Sequence, residues 1–333
     1  MQTLNLIDKT KSEIDYTIDR FPDGQINIHL NNIDRKIGKI NIICRITNND
    51  DIIMLLMISD ILKRQEIQLV NMYITYLLSA RMDRVIDFDQ PYTLKIVANI
   101  INSMNASSVF IQAPHSDKSI DLINNSYSSF DIFDHRISKD YFTLIKGERI
   151  EYVYPDAGAF KRYYKDYRNT VFPYFNYDDF TLLQHPPTLP YVSNSYIKCT
   201  KKRDPKTNEL SNFEISTDSV LDLSAHTLVV KDDLCDGGGT FIGIGKLLRE
   251  KYKTHLDMKD NKLILCVTHM IQGLNAVPKL LEIYDEIWIT NSYKEWKADD
   301  FSNFNDKVKI INVTDISFEN LIDGTNHAKI IAI

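Results

Sequence analysis

The sequence predicts an α/β protein whose mainly parallel sheets are flanked by helices. Three observations point there. Short β-branched runs alternate with longer runs of helical period, the pattern of repeated strand–helix units. The apolar run Leu228-Val-Val230 leads into KDDLCDGGGTF, residues 231–241, which has the form of a strand-to-helix turn. The chain has 333 residues, which at roughly 150 per domain suggests two domains.

In order along the chain, Lys39-Ile-Asn-Ile-Ile-Cys-Arg45 reads as a strand. Asp50 to Arg64 reads as a helix: Asn49 or Asp50 is placed to cap it, and Ile52, Leu55, Leu56, Ile61 and Leu62 approximate one apolar face. Pro91 to Met104 is a second helix, with proline at its start and Leu94, Val97, Ile101 and Met104 facing inward. Ser107-Ser-Val-Phe-Ile-Gln112 is a strand, as are Leu263–Val267 and Glu286–Thr290. The first half ends near Tyr154-Pro-Asp-Ala-Gly158. The aromatic, proline-bearing stretch 163–190 opens the second domain or covers the crevice, and its rings suit packing better than base stacking. The division places 1–157 in one domain and 158–304 in the other, with 305–333 a candidate completion of the first.

Composition excludes some functions. A hydrophobic share of 44% with 25% charged residues is ordinary for a soluble globular protein. The net charge of −6 argues against a general nucleic-acid or anionic-membrane binder, while leaving room for a local basic pocket. Cys44, Cys199, Cys235 and Cys266 form no CxxC pair. With no secretory segment at the start, free thiols and a cytoplasmic location are expected. The longest apolar run, Ile52 to Ile58, is far too short to span a membrane.

The chemistry concentrates in residues 231–241. Gly237, Gly238 and Gly239 let the backbone turn tightly and approach a ligand. Their amides and the helix start that follows near Thr240 suit a phosphate. Asp232, Asp233 and Asp236 can accept hydrogen bonds from ribose hydroxyls or hold Mg²⁺. Acids for a sugar and glycines for its phosphate make a ribose phosphate the natural ligand. The plainer reading is an acidic turn before a helix. No Lys-Ser/Thr follows the glycines, so this is not a Walker A loop, and the spacing is not GxGxxG.

This stretch resembles the phosphoribosyl diphosphate (PRPP) loop of type I phosphoribosyltransferases and ribose-phosphate diphosphokinases. Other segments resemble the diphosphokinases in particular. Phe21-Pro-Asp-Gly-Gln25 is similar to their F-x-D-G-E, Arg81-Met-Asp-Arg84 to R-Q-D-R, and Pro91–Asn99 to the helix after it. Pro114-His-Ser-Asp117 sits where the family has D-L-H-A, and Phe130–His135 resembles F-F-D-I-P-V-D-H. Pro155-Asp-Ala-Gly158 matches P-D-x-G, and Lys201-Lys-Arg203 resembles the K-x-R of a flexible catalytic loop. Val267-Thr-His269 and Thr290-Asn291 resemble late segments. The order holds from residue 21 to about residue 291.

The resemblance implies two phosphoribosyltransferase-like domains with the active site between them. It implies transfer of the terminal diphosphate of ATP to the anomeric hydroxyl of ribose 5-phosphate, releasing AMP. By the same resemblance Phe21, Asp23, Gln25, Arg81, Asp83 and Arg84 hold ATP. Lys201 and Arg203 close over the phosphates, His115 and Asp156 are Mg²⁺ ligands, and Asp232, Asp233, Asp236 and Gly237–Thr240 hold the ribose and its phosphate. Taken alone, His115 is more often a structural histidine, Lys198–Lys206 a solvated mobile loop, and Arg81 and Arg84 surface ion-pair partners. Family members assemble as dimers and hexamers, so a homo-oligomer is expected.

The chain departs from the family at several points. Gln25 replaces Glu, Met82 replaces Gln, Ser116-Asp117 follows the histidine, and Lys231 precedes the acids. Gly237 stands where the usual loop has threonine, which removes a hydroxyl donor and opens space. This pattern resembles a phage branch of the family that restores NAD from ADP-ribose and nicotinamide. That resemblance implies ADP-ribose as acceptor, ADP-ribose 1-diphosphate as product, a partner nicotinamide transferase and a host cytoplasm. The alternatives are a PRPP synthetase using ribose 5-phosphate, a phosphoribosyltransferase consuming PRPP, and an inactive nucleotide-binding relative. The ATP-like segments count against the second, and the retained Lys201, Arg203, His115, Asp156 and acids count against the third.

Overall fold

The computed structural model describes residues 1–129, 150–170, 196–203, 210–216, 227–258, 261–304, 306–313 and 318, with backbone alone at 150, 164–170, 201–203 and 210–212. The segment Phe130–His135 and the aromatic stretch from 171 to 190 lie outside the described residues. The chain forms two compact units, 1–130 with 313–330 and 131–312 with 331–333.

The first unit begins with strand β1 (Gln2–Asn5) and an antiparallel hairpin of β2 (Asp15–Arg20) and β3 (Ile26–Asn31). It continues through β4 (Lys39–Cys44), α1 (Asn49–Arg64), β5 (Gln68–Ile74), α2 (Thr93–Ser103), β6 (Ser108–Ile111), α3 (Asp117–Leu122) and β7 (Ser126–Ser128). The sheet order is β1-β4-β5-β6-β7, with every pair parallel. Successive residues of a strand face opposite sides, and a parallel sheet covered on both sides reads as a continuous apolar run. Strand β4 shows this. Ile40, Ile42 and Cys44 join Leu55, Ile58, Val97 and Ile101 in the main core. Ile43 faces the other side with Tyr73 and Phe110.

Helix α2 buries Leu94, Val97, Ala98 and Ile101, the face its period predicts. Helix α1 starts one residue earlier than expected. Asn48 is its cap, accepting the Asp51 N–H at 3.1 Å, and the Asp51 carboxylate accepts the Asn48 N–H at 3.2 Å in return. This reciprocal pair satisfies two orphan donors, which neither Asn49 nor Asp50 could do from inside the helix. Ile58 is fully buried, whereas Leu56 and Ile61 are only partly so. Asn48→Ala should lower the stability of this unit by about 1 kcal/mol. In a urea titration the midpoint should fall with the slope unchanged.

The second unit contains β8 (Ile150–Tyr154), α4 (Ala157–Thr170), β9 (Ile197–Arg203), β10 (Leu210–Ile215), β11 (Thr227–Cys235), α5 (Gly239–Lys251), α6 (Lys253–Leu256), β12 (Lys262–Met270), α7 (Gly273–Leu280), β13 (Glu286–Thr290) and β14 (Val308–Ile311). Its sheet order is β10-β9-β8-β11-β12-β13-β14, parallel except for the β9–β10 hairpin. Strand β8, on the N-terminal side of the expected division at 157, pairs into this sheet. One face packs Val153, Leu228, Val230, Leu265 and Ile289 against the helices. The other packs Tyr152, Tyr154, Val229, Cys266 and Trp288.

Two elements differ from expectation. Strand β11 does not end at Val230. Its pairing with β12 continues from Lys231↔Cys266 to Cys235↔Met270, so the acids of the motif lie partly within the strand. The backbone ladder to an apolar neighbour holds the strand where its own hydrophobic pattern has stopped. Likewise the basic run Lys198–Lys206 lies in strand β9 as far as Arg203, and 204–206 lie outside the described residues. All four cysteines are buried and free. Among the described residues no helix is long and apolar enough to cross a membrane.

Candidate active site

In the second unit the chain runs from β8 through α4 to β9 on one side, and from β11 to β12 and β13 on the other. The strand order therefore reverses between β8 and β11. Open parallel sheets have a crevice at the carboxyl ends of their strands where this happens. The connections 155–156 and 236–238 both emerge there.

Strand β8 accompanies β11 only as far as Val153↔Val230. Beyond that point Arg162 of α4 reaches the acids. Its Nη2 donates to Asp232 Oδ1 at 2.8 Å and to Asp233 Oδ1 at 2.6 Å. The side chains are 9% and 2% exposed for the two acids and 18% for Arg162. Burial, followed by the charge of Asp233, pushes the Asp232 acid well above its usual range, against the pull of Arg162. The guanidinium stays firmly charged: burial opposes this, but Asp233 and Asp232 outweigh it. Lys231, 2% exposed, lies 4.5 Å from the ring centre of Tyr163 and 5.6 Å from that of Tyr152. Cys235 is no nucleophile, because burial pushes its thiol up to about 12.

Helix α5 starts from Gly238, whose φ of +86° is costly for any other residue, and whose carbonyl accepts the Ile242 N–H at 2.9 Å. The amides of Gly239, Thr240 and Phe241 belong to the first turn, where no intrahelical acceptor exists. They form the positive end of the helix and suit a phosphate. Gly237 is exposed, and a Cβ there would meet nothing within 4 Å. Asp236 accepts a hydrogen bond from Gln272 at 2.8 Å. Asp156 caps α4 by accepting the Ala159 N–H at 2.9 Å.

In the first unit Phe21, Asp23 and Gln25 form the exposed turn of the β2–β3 hairpin. Asp23 Oδ1 accepts the Gln25 N–H at 3.1 Å, and Phe21 is 51% exposed. Asp83, buried after β5, accepts from Arg84 Nε at 3.0 Å. Burial works to raise the Asp83 acid, but the hydrogen bond from Arg84, the nearby Ser116 hydroxyl and the charges of Arg84 and His115 outweigh it and hold it below the usual range. Asp83, Arg84 and His115 are thus neighbours, although 30 residues separate the two motifs. Arg81 is exposed beside them in sequence. Lys201 and Arg203 stand two apart on β9, past its pairing with β8, which ends at Tyr154↔Lys198.

The principal residue missing from the sequence reading is Arg162. A signal existed, an arginine six positions after Asp156 on the helix the P-D-x-G turn begins, but nothing local ties it to acids 70 residues away. Among the described residues no group of three or more His, Cys, Asp or Glu is arranged to hold a metal. His115 belongs to the first unit and Asp156 to the second.

Comparison with known proteins finds similar chains. Residues 7–104 match the N-terminal domain of ribose phosphate pyrophosphokinase. The ribose-phosphate pyrophosphokinase of Thermosipho africanus is 24% identical over 315 residues, covering 92% of this chain and 85% of that protein. That of a Marinomonas species is 25% identical over 285 residues, covering 83% and 78%. The crystal structure of phosphoribosylpyrophosphate synthetase from Mycobacterium smegmatis superposes with a TM-score of 0.64 at 16% identity, covering 100% of this chain and 99% of that one. The chain is therefore similar to the ribose-phosphate pyrophosphokinases, which are diphosphokinases, and has an α/β fold of two phosphoribosyltransferase-like domains.

Proposed function

We propose that this chain moves the β,γ-diphosphate of ATP to the anomeric C1 hydroxyl of a ribose bearing a 5-phosphate group, releasing AMP. The observation that carries this reading is the buried acid pair lying beside the glycine turn that starts α5. Asp232, Asp233 and Asp236 accept the ribose hydroxyls, and the amides of 237–240 take the phosphate. The C1 hydroxyl attacks the β-phosphorus and charge grows on the AMP leaving group. Positioning and charge neutralisation supply most of the acceleration in such a transfer. Lys201 and Arg203 provide positive charge to the transferring group. Phe21, Asp23, Gln25, Arg81, Asp83 and Arg84 hold ATP. Mg²⁺ bound with ATP offsets phosphate charge, and His115 and Asp156 are the residues that would hold it.

Ribose 5-phosphate is the acceptor that the names of the relatives favour, giving PRPP. ADP-ribose is a second reading, favoured by Gly237. With open space around that position, the loop leaves room for a phosphate that continues into a diester. The test is AMP release from Mg-ATP by the purified chain with each acceptor, with product masses measured in parallel. A diphosphate gain on ribose 5-phosphate alone excludes the second reading, and a gain on ADP-ribose alone excludes the first. AMP release with neither removes the proposal. Gly237→Thr should fold normally, since a Cβ there meets nothing within 4 Å. If ADP-ribose is used, the threonine should lower its turnover relative to ribose 5-phosphate by about tenfold, the scale of one misplaced polar contact.

A further inference from the structure

The motif carries one residue that the proposed reaction leaves without a role. Lys231 is buried in β11 immediately before the acids, yet no ligand chemistry assigned above uses it. A lysine ammonium is taken out of water only where something compensates it. Residues 231 and 233 share one face of the strand, and Asp232 lies on the other. On that shared face Lys231 meets the rings of Tyr152 from β8 and Tyr163 from α4, and Cys266 is its partner on β12. The same Tyr163 ring lies 5.9 Å from the Arg162 guanidinium, which donates to Asp233 at 2.6 Å. Two cations thus flank one aromatic ring. Unscreened, they would repel each other, and Asp233, two residues along the same strand face and bonded to Arg162, brings a carboxylate to that side. Arg162 supplies one positive charge for two acids. Asp156 is nearby too, and its charge is offset by the start of α4 that it caps.

We infer that Lys231 is a positioning residue for the acid pair: held in the Tyr152–Tyr163 cradle, it is the second counter-charge that keeps Asp233 ionised and lets Arg162 span both carboxylates. Arg162, Lys231, Asp232 and Asp233 then form a balanced buried cluster. The functional consequence, that Lys231 keeps the pair able to accept ribose hydroxyls, rests on the reading in the preceding subsection. The charge coupling itself does not.

The test is a double-mutant cycle on the ligand-free full chain at neutral pH, read as the thermal unfolding midpoint. Lys231→Met keeps the length and the contacts with the rings but removes the charge. It should lower the midpoint by about 5 °C or more, and Asp233→Asn should lower it too. The double variant K231M/D233N, balanced again with Arg162 and Asp232, should recover most of the loss. Lys231→Arg should stay near the wild type. Additive losses overturn the inference. Should K231M alone fail to fold, recovery of folded protein in the double variant supports the coupling, and failure of both overturns it. Because no substrate is present, this result is separate from whether AMP is released. Where AMP is released, K231M should raise the acceptor KM several-fold and leave the ATP KM close to the wild-type value. A uniform loss of kcat with both KM values unchanged would count against a role at the acids.

Discussion

Replacing Lys201 and Arg203 together with alanine is expected to abolish AMP release while leaving the fold in place. The loss should be at least about 10³-fold in kcat, the scale on which a positive side chain stabilises a phosphoryl transition state. The expectation rests on where β9 runs. It pairs with β8 only at Ile197 and Lys198, and from Cys199 to Arg203 its partner is β10. The two basic positions, two residues apart, lie toward the end of this hairpin that leads into its connection. Alanine keeps the backbone ladder, so the unfolding midpoint should move little, because strand propensities differ by about 1 kcal/mol at most. Single-turnover measurements with Mg-ATP and acceptor would separate the chemical step from binding. Turnover close to wild type in the double variant would remove both residues from the catalytic step.

Arg162→Met should be the most destabilising single change in the second unit. Removing one partner of a buried ion pair strands the other charge, at a cost of about 3–5 kcal/mol. Here two carboxylates lose the same guanidinium. The effect should depend on pH with a definite sign. Asp232 already has its folded pKa raised, by burial first and by Asp233 second. A raised acid contributes fully below its unfolded pKa, and that contribution is lost as pH rises through the folded pKa. Removing Arg162 takes away a term that lowers it, so the deficit of the variant should open as pH rises above the ordinary carboxylate range and narrow below it. Denaturant unfolding at neutral pH and near pH 4 would show this. A deficit of equal size at both pH values would mean that Arg162 acts through packing. Acceptor affinity should fall in the same variant, because the pair no longer has a fixed geometry.

The parts of the fold legible in the sequence share one property: their signal is local. The strands at 39–44, 108–111, 262–270 and 286–290 are visible because parallel strands covered on both faces must be apolar at consecutive positions. Helix α2 is visible because Leu94, Val97 and Ile101 follow the helical period. Helix α1 is visible for the same reason, but its cap is misplaced by one residue, since Asn48 is recognised only through its bond to Asp51. The β2–β3 hairpin escapes notice because its burial pattern is mostly exposed and does not alternate cleanly.

The candidate site divides in the same way. The amino-acid sequence by itself determined the glycine turn at 237–239, because a φ of +86° at Gly238 is a demand on residue type. It also determined that three acids stand beside that turn. Tertiary structure alone decided that β11 runs on through Lys231, Asp232 and Asp233, since the ladder to β12 overrides a strand pattern that stops at Val230. It decided as well that Arg162 pairs with acids 70 residues away, and that Asp83 lies within reach of the His115 charge across two motifs. Turns and periodicities are properties of a few neighbouring residues, so they can be read along a line. The compensation of a buried charge depends on which distant segment the sheet order brings beside it, and in this chain the reversal between β8 and β11 makes that choice.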